Sequence, residues 1–336
     1  MTKVAVMGSG SWGTAFANMV ADAGAAEVVV HGRRSEVVDA INQRHENPAY
    51  FPGMALNPAL TATADAAKAL HEADFVVLAV PSQTLRGNLS AWREHIGGQA
   101  VLVSLMKGIE LGTCRRMSEV ATEVSGVPED RVAVVSGPNL AREIAERQPA
   151  TAVMACRHEP TAVRLQHICK SAYFRPYTVT DVVGVELGGA VKNVIALAVG
   201  VAVGMGFGDN AKASLITRGL AETVRLAVSL GAGEHTLAGL AGLGDLVATC
   251  GSPLSRNRTF GEKLGSGMTL EEVVAATSQT AEGVKSSESV LELARRTGVE
   301  MPITEAVVAM MHHDLSPAEA LAAFMSRTAK PERYGF

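Results

Sequence analysis

The sequence predicts an α/β protein in which a doubly wound parallel sheet is followed by an all-helical second domain. Three observations carry this. Short runs rich in Val, Ala and Leu alternate with helical stretches through the first half of the chain. A complete G-x-G-x-x-G occupies residues 8–13, directly after the first of these runs. From about Leu187 onward, long Ala/Leu/Val/Glu stretches replace the alternation. The division is placed there, giving domains over 1–187 and 188–336.

Strands are expected at 3–7, 27–31, 75–80, 100–104 and 132–136, each bounded by Gly, Pro, Ser or Asp. Continuous apolar runs of this length suit a parallel sheet covered on both faces by helices. Residues 12–23 and 35–44 between them have helical composition. In the second half, helices are expected over 189–203, 211–230, 286–297 and 302–312. Gly231-Ala232-Gly233 and Gly265-Ser266-Gly267 read as breaks, and residues 330–336 as an irregular tail.

With 336 residues, 47% of them hydrophobic and 19% charged, the chain has the balance of a globular protein with a sizeable core. A formal net charge of −4 gives no reason to expect nucleic acid as a partner. Cys114, Cys156, Cys169 and Cys250 lie far apart, with no metal-ligand spacing. That pattern suits a reducing cytoplasm, and no metal is expected. Residues 194–208 form the longest uncharged apolar stretch, short of the roughly 20 residues a span requires, so no membrane span is expected.

Gly8-Ser9-Gly10-Ser11-Trp12-Gly13 carries the clearest chemistry. Gly8 permits the tight strand-to-helix turn, Gly10 lets the backbone approach a pyrophosphate, and Gly13 lets the helix pack close on the strand. The helix N-terminus then offers free N–H groups and the positive end of its dipole to phosphates. At the end of the second strand, His31-Gly32-Arg33-Arg34 has no acidic residue for a ribose 2′-hydroxyl. The two arginines suit a 2′-phosphate, which favours NADPH and leaves NADH open.

In the second half, Lys192 sits among small and apolar neighbours in Gly188-Gly189-Ala190-Val191-Lys192-Asn193-Val194. A lysine so surrounded either snorkels to water or lies in a lined site. Asn193 beside it could orient a hydroxyl or carbonyl. Lys107 follows a strand on the ligand side of the sheet, and reads alternatively as an exposed loop lysine. Asp245 in Gly242-Leu243-Gly244-Asp245-Leu246 is a lone carboxylate in a glycine-rich turn, with a helix cap as its bland alternative. Ser255-Arg256-Asn257-Arg258, in an apparent loop, offers donors and a bidentate fork suited to phosphate, or is simply a basic surface.

Taken in order, these segments resemble the bacterial-type NAD(P)-dependent glycerol-3-phosphate dehydrogenase family over nearly the whole chain. The matching stretches are 8–13, Leu105-Met106-Lys107-Gly108-Ile109-Glu110, Ser136-Gly137-Pro138 and 189–196. Further on they are Gly208-Asp209-Asn210-Ala211-Lys212-Ala213, 239–246, Ser255-Arg256-Asn257 and Ala281-Glu282-Gly283-Val284. The resemblance implies a Rossmann-like N-terminal domain for the cofactor, a helical C-terminal domain, and an active site in the cleft between them. It implies reduction of glycerone phosphate to sn-glycerol 3-phosphate, feeding glycerophospholipid synthesis. Lys192 is then the general acid/base. Lys107, Gly137, Asn193 and Asp245 face the substrate, and Ser255, Arg256 and Asn257 grip its phosphate. Gly8, Gly10, Ser11, Trp12, Gly13, Arg33, Arg34, Lys107, Ala141, Arg256, Thr280 and Glu282 line the cofactor. Asn139 stands where a small hydroxyl residue is frequent in the family and receives no role. A hydroxyacid dehydrogenase of similar architecture, or an NAD(P)-sensing protein without turnover, are the alternatives. Oligomeric state is not fixed by the sequence, and a homodimer stays open.

Overall fold

A computed structural model describes residues 1–277, 281–328 and 331–332. The strands are β1 (Thr2–Met7), β2 (Ala26–His31), β3 (Thr61–Thr63), β4 (Phe75–Leu78), β5 (Val101–Ser104), β6 (Val132–Ser136), β7 (Ala150–Cys156) and β8 (Phe174–Val179). Between them run α1 (Ser11–Ala23), α2 (Ser35–Arg44), α3 (Ala66–Leu70), α4 (Leu85–Trp92), α5 (Met117–Ser125), α6 (Ala141–Ala145) and α7 (Glu159–Cys169). All eight strands form one sheet in the order β3-β2-β1-β4-β5-β6-β7-β8. Pairing is parallel throughout except between β6 and β7.

The chain winds outward from β1 to β3, then returns to place β4 on the other side of β1. Ligands bind in the crevice beyond the strand ends at such a switch point. Here the two strand ends nearly touch. Gly8 has φ +135°, and a Cβ added to it would lie 2.4 Å from the Ala79 carbonyl oxygen. Only glycine fits that corner.

The five expected strands are present, the one expected over 75–80 ending at Leu78. Three more are found. β3 is three residues long, too short to register as an apolar run. β8 reads Phe-Arg-Pro-Tyr-Thr-Val, with alternate residues exposed and a proline within it. Proline is tolerated there because β8 is an edge strand. β7 turns the sheet antiparallel, which extends it beyond the doubly wound part.

The second half consists of α8 (Val182–Gly204), α9 (Asp209–Ser229), α10 (Glu234–Ala238), α11 (Asp245–Gly251), α12 (Arg256–Gly265), α13 (Leu270–Ala275), α14 (Glu282–Arg296), α15 (Pro302–His312) and α16 (Pro317–Met325). Helix α8 is its axis. The Asp181 carboxylate caps it by accepting from the Gly184 N–H at 2.9 Å. The helix is thus longer than the apolar stretch read from the sequence. By length and composition it could cross a membrane, yet 89% of its apolar window is buried inside the protein.

Helix α12 lies against α8 at backbone distance. A Cβ on Gly200 would sit 2.1 Å from the Arg258 oxygen, and one on Gly261 2.2 Å from that of Leu197. Glycines on both helices therefore allow an approach that larger residues would block. This brings the start of α12 beside the middle of α8, where Lys192 and Asn193 stand.

Only two residues of α8 are charged, Glu186 and Lys192, and both are buried. Burying a charge is costly unless it is paired. Glu186 meets Arg116, the residue preceding α5, at 2.7 Å, and accepts from the Ser118 N–H and hydroxyl at 2.8 and 2.5 Å. This pair ties the helical half to the sheet half. Removing its cation in Arg116→Ala strands the carboxylate, and a loss of about 3–5 kcal/mol is expected. Chemical denaturation checks it; a midpoint at the wild-type value would show the pair contributes nothing.

Candidate active site

The site forms where the ends of β5 and β6 face the middle of α8 and the first turns of α11, α12 and α14. Its centre is Asp245, 1% exposed, in the first turn of α11. Asp245 is not the N-cap of α11; Gly244 holds that position. One carboxylate oxygen accepts from the Lys192 ammonium and the other from Lys107 at 2.6 Å. Lys192 also donates to the Thr249 hydroxyl at 2.7 Å, one turn further along α11. Lys107 donates to the Gly137 carbonyl at 3.0 Å, and Ser136 Oγ lies 3.5 Å from the same Asp245 oxygen that Lys107 reaches. Two lysines from different halves of the protein thus share one buried carboxylate.

The resulting electrostatics are unequal. Burial pulls the Lys107 ammonium down to about 8; Asp245 draws it back up, and the charge on Lys192 pushes it further down. Glu282, at the start of α14, is pushed up by burial, against the pull of Arg256 and the Ser82 N–H. The Arg256 charge thus acts on Glu282, although the two are far apart in sequence.

An amide relay connects the pieces. Asn193 donates to the Lys107 carbonyl at 3.2 Å, Asn257 donates to Asn193 Oδ1 at 2.9 Å, and Gly283 N–H donates to Asn257 Oδ1 at 3.0 Å. A Cβ at Gly283 would lie 2.7 Å from the Asn193 oxygen, so α14 meets α8 without a side chain between them. Ser255 to Asn257 are not in a loop, as expected from composition. Ser255 caps α12, its hydroxyl accepting from the Arg258 N–H at 3.3 Å, and Arg256 and Asn257 form the first turn. The free N–H groups of that turn add to the donors the side chains offer.

The glycine motif folds as the sequence reading expects, with Gly10 before α1 and Ser11 and Trp12 opening it. A Cβ on Gly13 would stand 2.1 Å from the Gly8 oxygen, while Gly10 has open space on that side. The Trp12 indole N–H is buried and meets no acceptor among the described residues. Arg33 and Arg34 are exposed beyond β2, and the Arg34 guanidinium lies 5.8 Å from the centre of the Tyr50 ring. Ala141 opens α6 and packs against the core under α1. Thr280 lies outside the described residues.

Comparison with known proteins gives one consistent result. Residues 3–162 match the family description "NAD-dependent glycerol-3-phosphate dehydrogenase N-terminus" and residues 181–322 its C-terminus. The chain belongs to the NAD-dependent glycerol-3-phosphate dehydrogenase family. A glycerol-3-phosphate dehydrogenase [NAD(P)+] of Thermobifida fusca is 78% identical over 335 residues, covering 100% of both chains. The solved glycerol-3-phosphate dehydrogenase of Coxiella burnetii superposes with a TM-score of 0.91 at 36% identity, over 97% of this chain and 99% of that one. That of Plasmodium falciparum gives 0.87 at 25% identity, over 98% and 96%.

For a glycerol-3-phosphate dehydrogenase of this family, the residues present suit a dinucleotide. The start of α1 has no side-chain cap, and a Cβ on Gly10 would meet nothing within 4 Å, so the backbone N–H groups there are open to a phosphate. Sequence reasoning missed four polar or aromatic neighbours. Thr249 stands four residues after Asp245, a spacing that puts both on one helix face only once the segment is known to be helical. Ser136 opens the Ser136-Gly137-Pro138 stretch, where nothing in the sequence ties its hydroxyl to Asp245. Tyr50 and Asn47 arrive through an irregular segment and carried no local signal. Asn139 has both side-chain amide atoms buried without a partner among the described residues.

Proposed function

We propose that the enzyme reduces glycerone phosphate to sn-glycerol 3-phosphate, with NADPH preferred over NADH and Lys192 as the proton donor. The observation that supports this most is the buried carboxylate of Asp245 held by Lys107 and Lys192 at once. A nicotinamide cofactor, held by the residues assigned to it below, would supply hydride chemistry here. Lys192 then gives a proton from Nζ to the oxygen that gains charge, and Thr249 and Asp245 hold Nζ in place for the transfer. Lys107 stabilises the same developing charge from the sheet side, fixed by the Gly137 carbonyl. Asn193, itself held by Asn257, orients the reacting end.

Ser255, Arg256 and Asn257 are assigned to the phosphate, at the N-terminus of a ten-residue helix. Gly8, Gly10, Ser11, Trp12, Gly13, Arg33, Arg34 and Ala141 are assigned to the cofactor, with Lys107, Arg256 and Glu282 near its reacting end. We take 1–187 as the cofactor half and 188–336 as the substrate half, α8 running across the division. A reducing cytoplasm suits the four cysteines, all free and buried, and glycerophospholipid synthesis is the use the family reading implies for the product.

Purified protein, glycerone phosphate and each reduced cofactor in turn test the reading through loss of nicotinamide absorbance. Oxidation that requires both substrates supports it; activity only on hydroxyacids would overturn it. Arg33 and Arg34 are exposed, so replacing both with alanine should leave folding intact. The double variant is expected to raise the KM for NADPH about tenfold or more while changing that for NADH little, since charge-assisted contacts to a 2′-phosphate are lost. Equal changes with both cofactors would remove the arginines from the preference.

A further inference from the structure

Asn47 is fully buried just after α2, away from the reacting groups, yet it touches the glycine motif directly. Its Nδ2 donates to the Ser9 carbonyl at 3.1 Å and to the Thr14 hydroxyl at 2.9 Å. Those partners flank the residues whose N–H groups open α1. Its backbone carbonyl accepts from the Tyr50 N–H at 3.1 Å and the Phe51 N–H at 2.8 Å, which forms the turn that carries Tyr50 under Arg34. Phe51 is buried in the core beneath. One residue therefore holds both the phosphate loop and the ring beneath the arginine arm.

The amide is oriented at a cost. Its Oδ1 is buried with no donor among the described residues. An unpaired buried oxygen is destabilising, so stability alone does not account for an asparagine at this position. Turning the amide over would aim Oδ1 at the Ser9 carbonyl, acceptor against acceptor. Only the observed orientation satisfies Ser9, and it fixes the Ser9–Gly10 peptide whose rotation would re-aim the N–H groups of the loop.

We propose that Asn47 is a positioning residue of the cofactor site: it presets the Ser9–Gly10 peptide for the pyrophosphate and couples that loop to the Tyr50–Arg34 arm. The inference rests on dinucleotide binding at the glycine motif and does not depend on which cofactor is preferred. Preorganised donors bind an anion without first paying to order themselves.

The test uses the full chain with Asn47→Ala, Asn47→Asp and the milder Thr14→Val, which removes one of the two acceptors while keeping shape. NADPH and NADH dissociation constants are measured by fluorescence titration, alongside the KM for glycerone phosphate at saturating cofactor. Asn47→Ala is expected to weaken both cofactors about tenfold, and Asn47→Asp more, because its carboxylate faces the Ser9 carbonyl. Thr14→Val is expected to weaken both about threefold, with the KM for glycerone phosphate within twofold of wild type in all three. A merely structural role would lower the folded fraction but leave the dissociation constants of folded protein unchanged. Wild-type affinity for both cofactors in folded Asn47→Ala or Thr14→Val overturns the proposal, as does an equal loss in the KM for glycerone phosphate. Failure of wild-type protein to bind either cofactor would instead overturn the dinucleotide reading itself.

Discussion

Lys192→Ala is expected to lower turnover by about 10²–10⁴-fold with the affinity for NADPH unchanged, the range for loss of a positioned general acid. The alternative sequence reading, a lysine snorkelling to water, is excluded by its position: the side chain is 9% exposed and its ammonium is spent on Asp245 and Thr249. Such a group contributes nothing to solubility and must be there for its charge, its proton, or both. Lys192→Arg separates the two. Arginine keeps the positive charge and can still meet Asp245, but it holds its proton at any working pH. If the proton is what matters, the arginine variant falls nearly as far as the alanine one in single-turnover measurements. If the charge alone matters, it recovers most of the loss, and the proton-donor role is overturned. Near-normal turnover in Lys192→Ala would remove Lys192 from the mechanism altogether.

Some of this was legible in the sequence for identifiable reasons. Strands β1, β2, β4, β5 and β6 are buried on both faces, so each is a continuous apolar run that periodicity can find. Strand β8 alternates and contains Pro176, so the same rule passes over it. Lys192 stands out because a charge inside an apolar helix needs an explanation, and Glu186, six residues earlier, stands out equally. Its partner Arg116 lies 70 residues away, and no local pattern announces that.

The geometry around Asp245 was hidden for another reason. Residues Leu240–Gly244 form a π-helical turn directly before α11, where the glycines suggested a loop. Read as a loop, Asp245 and Thr249 have no defined phase; read as helix, they face the same way. Ser255 was hidden similarly, since capping residues and loop residues share a composition. Contacts made through the segment after α2 are the least legible. Asn47 and Tyr50 reach the cofactor side only because Phe51 and Leu56 anchor that segment in the core.

Asp245→Asn should have the second largest effect, and it separates the roles of the two lysines. The substitution keeps the shape but leaves two ammonium groups buried around a neutral amide. Breaking a buried pair in this way costs about 3–5 kcal/mol of stability, measurable by denaturation. Turnover should fall about a hundredfold as Lys192 loses its fixed position. The pH dependence carries more information. In the proposed mechanism Lys107 acts as a cation, so activity that depends on it should be present below its pKa of about 8 and lost as pH rises through that value. The same depression means the folded chain sheds this proton before the unfolded one, so stability rises with pH between about 8 and the ordinary lysine value of 10.5. Asp245 is the charge that opposes the depression. Without it, the pKa of Lys107 falls further, and the alkaline limb of the kcat/KM profile moves to lower pH. A limb that stays in place, with turnover still reduced, would mean that Asp245 acts only by holding Lys192. A limb that moves while turnover falls shows one carboxylate setting the position of one lysine and the charge of the other.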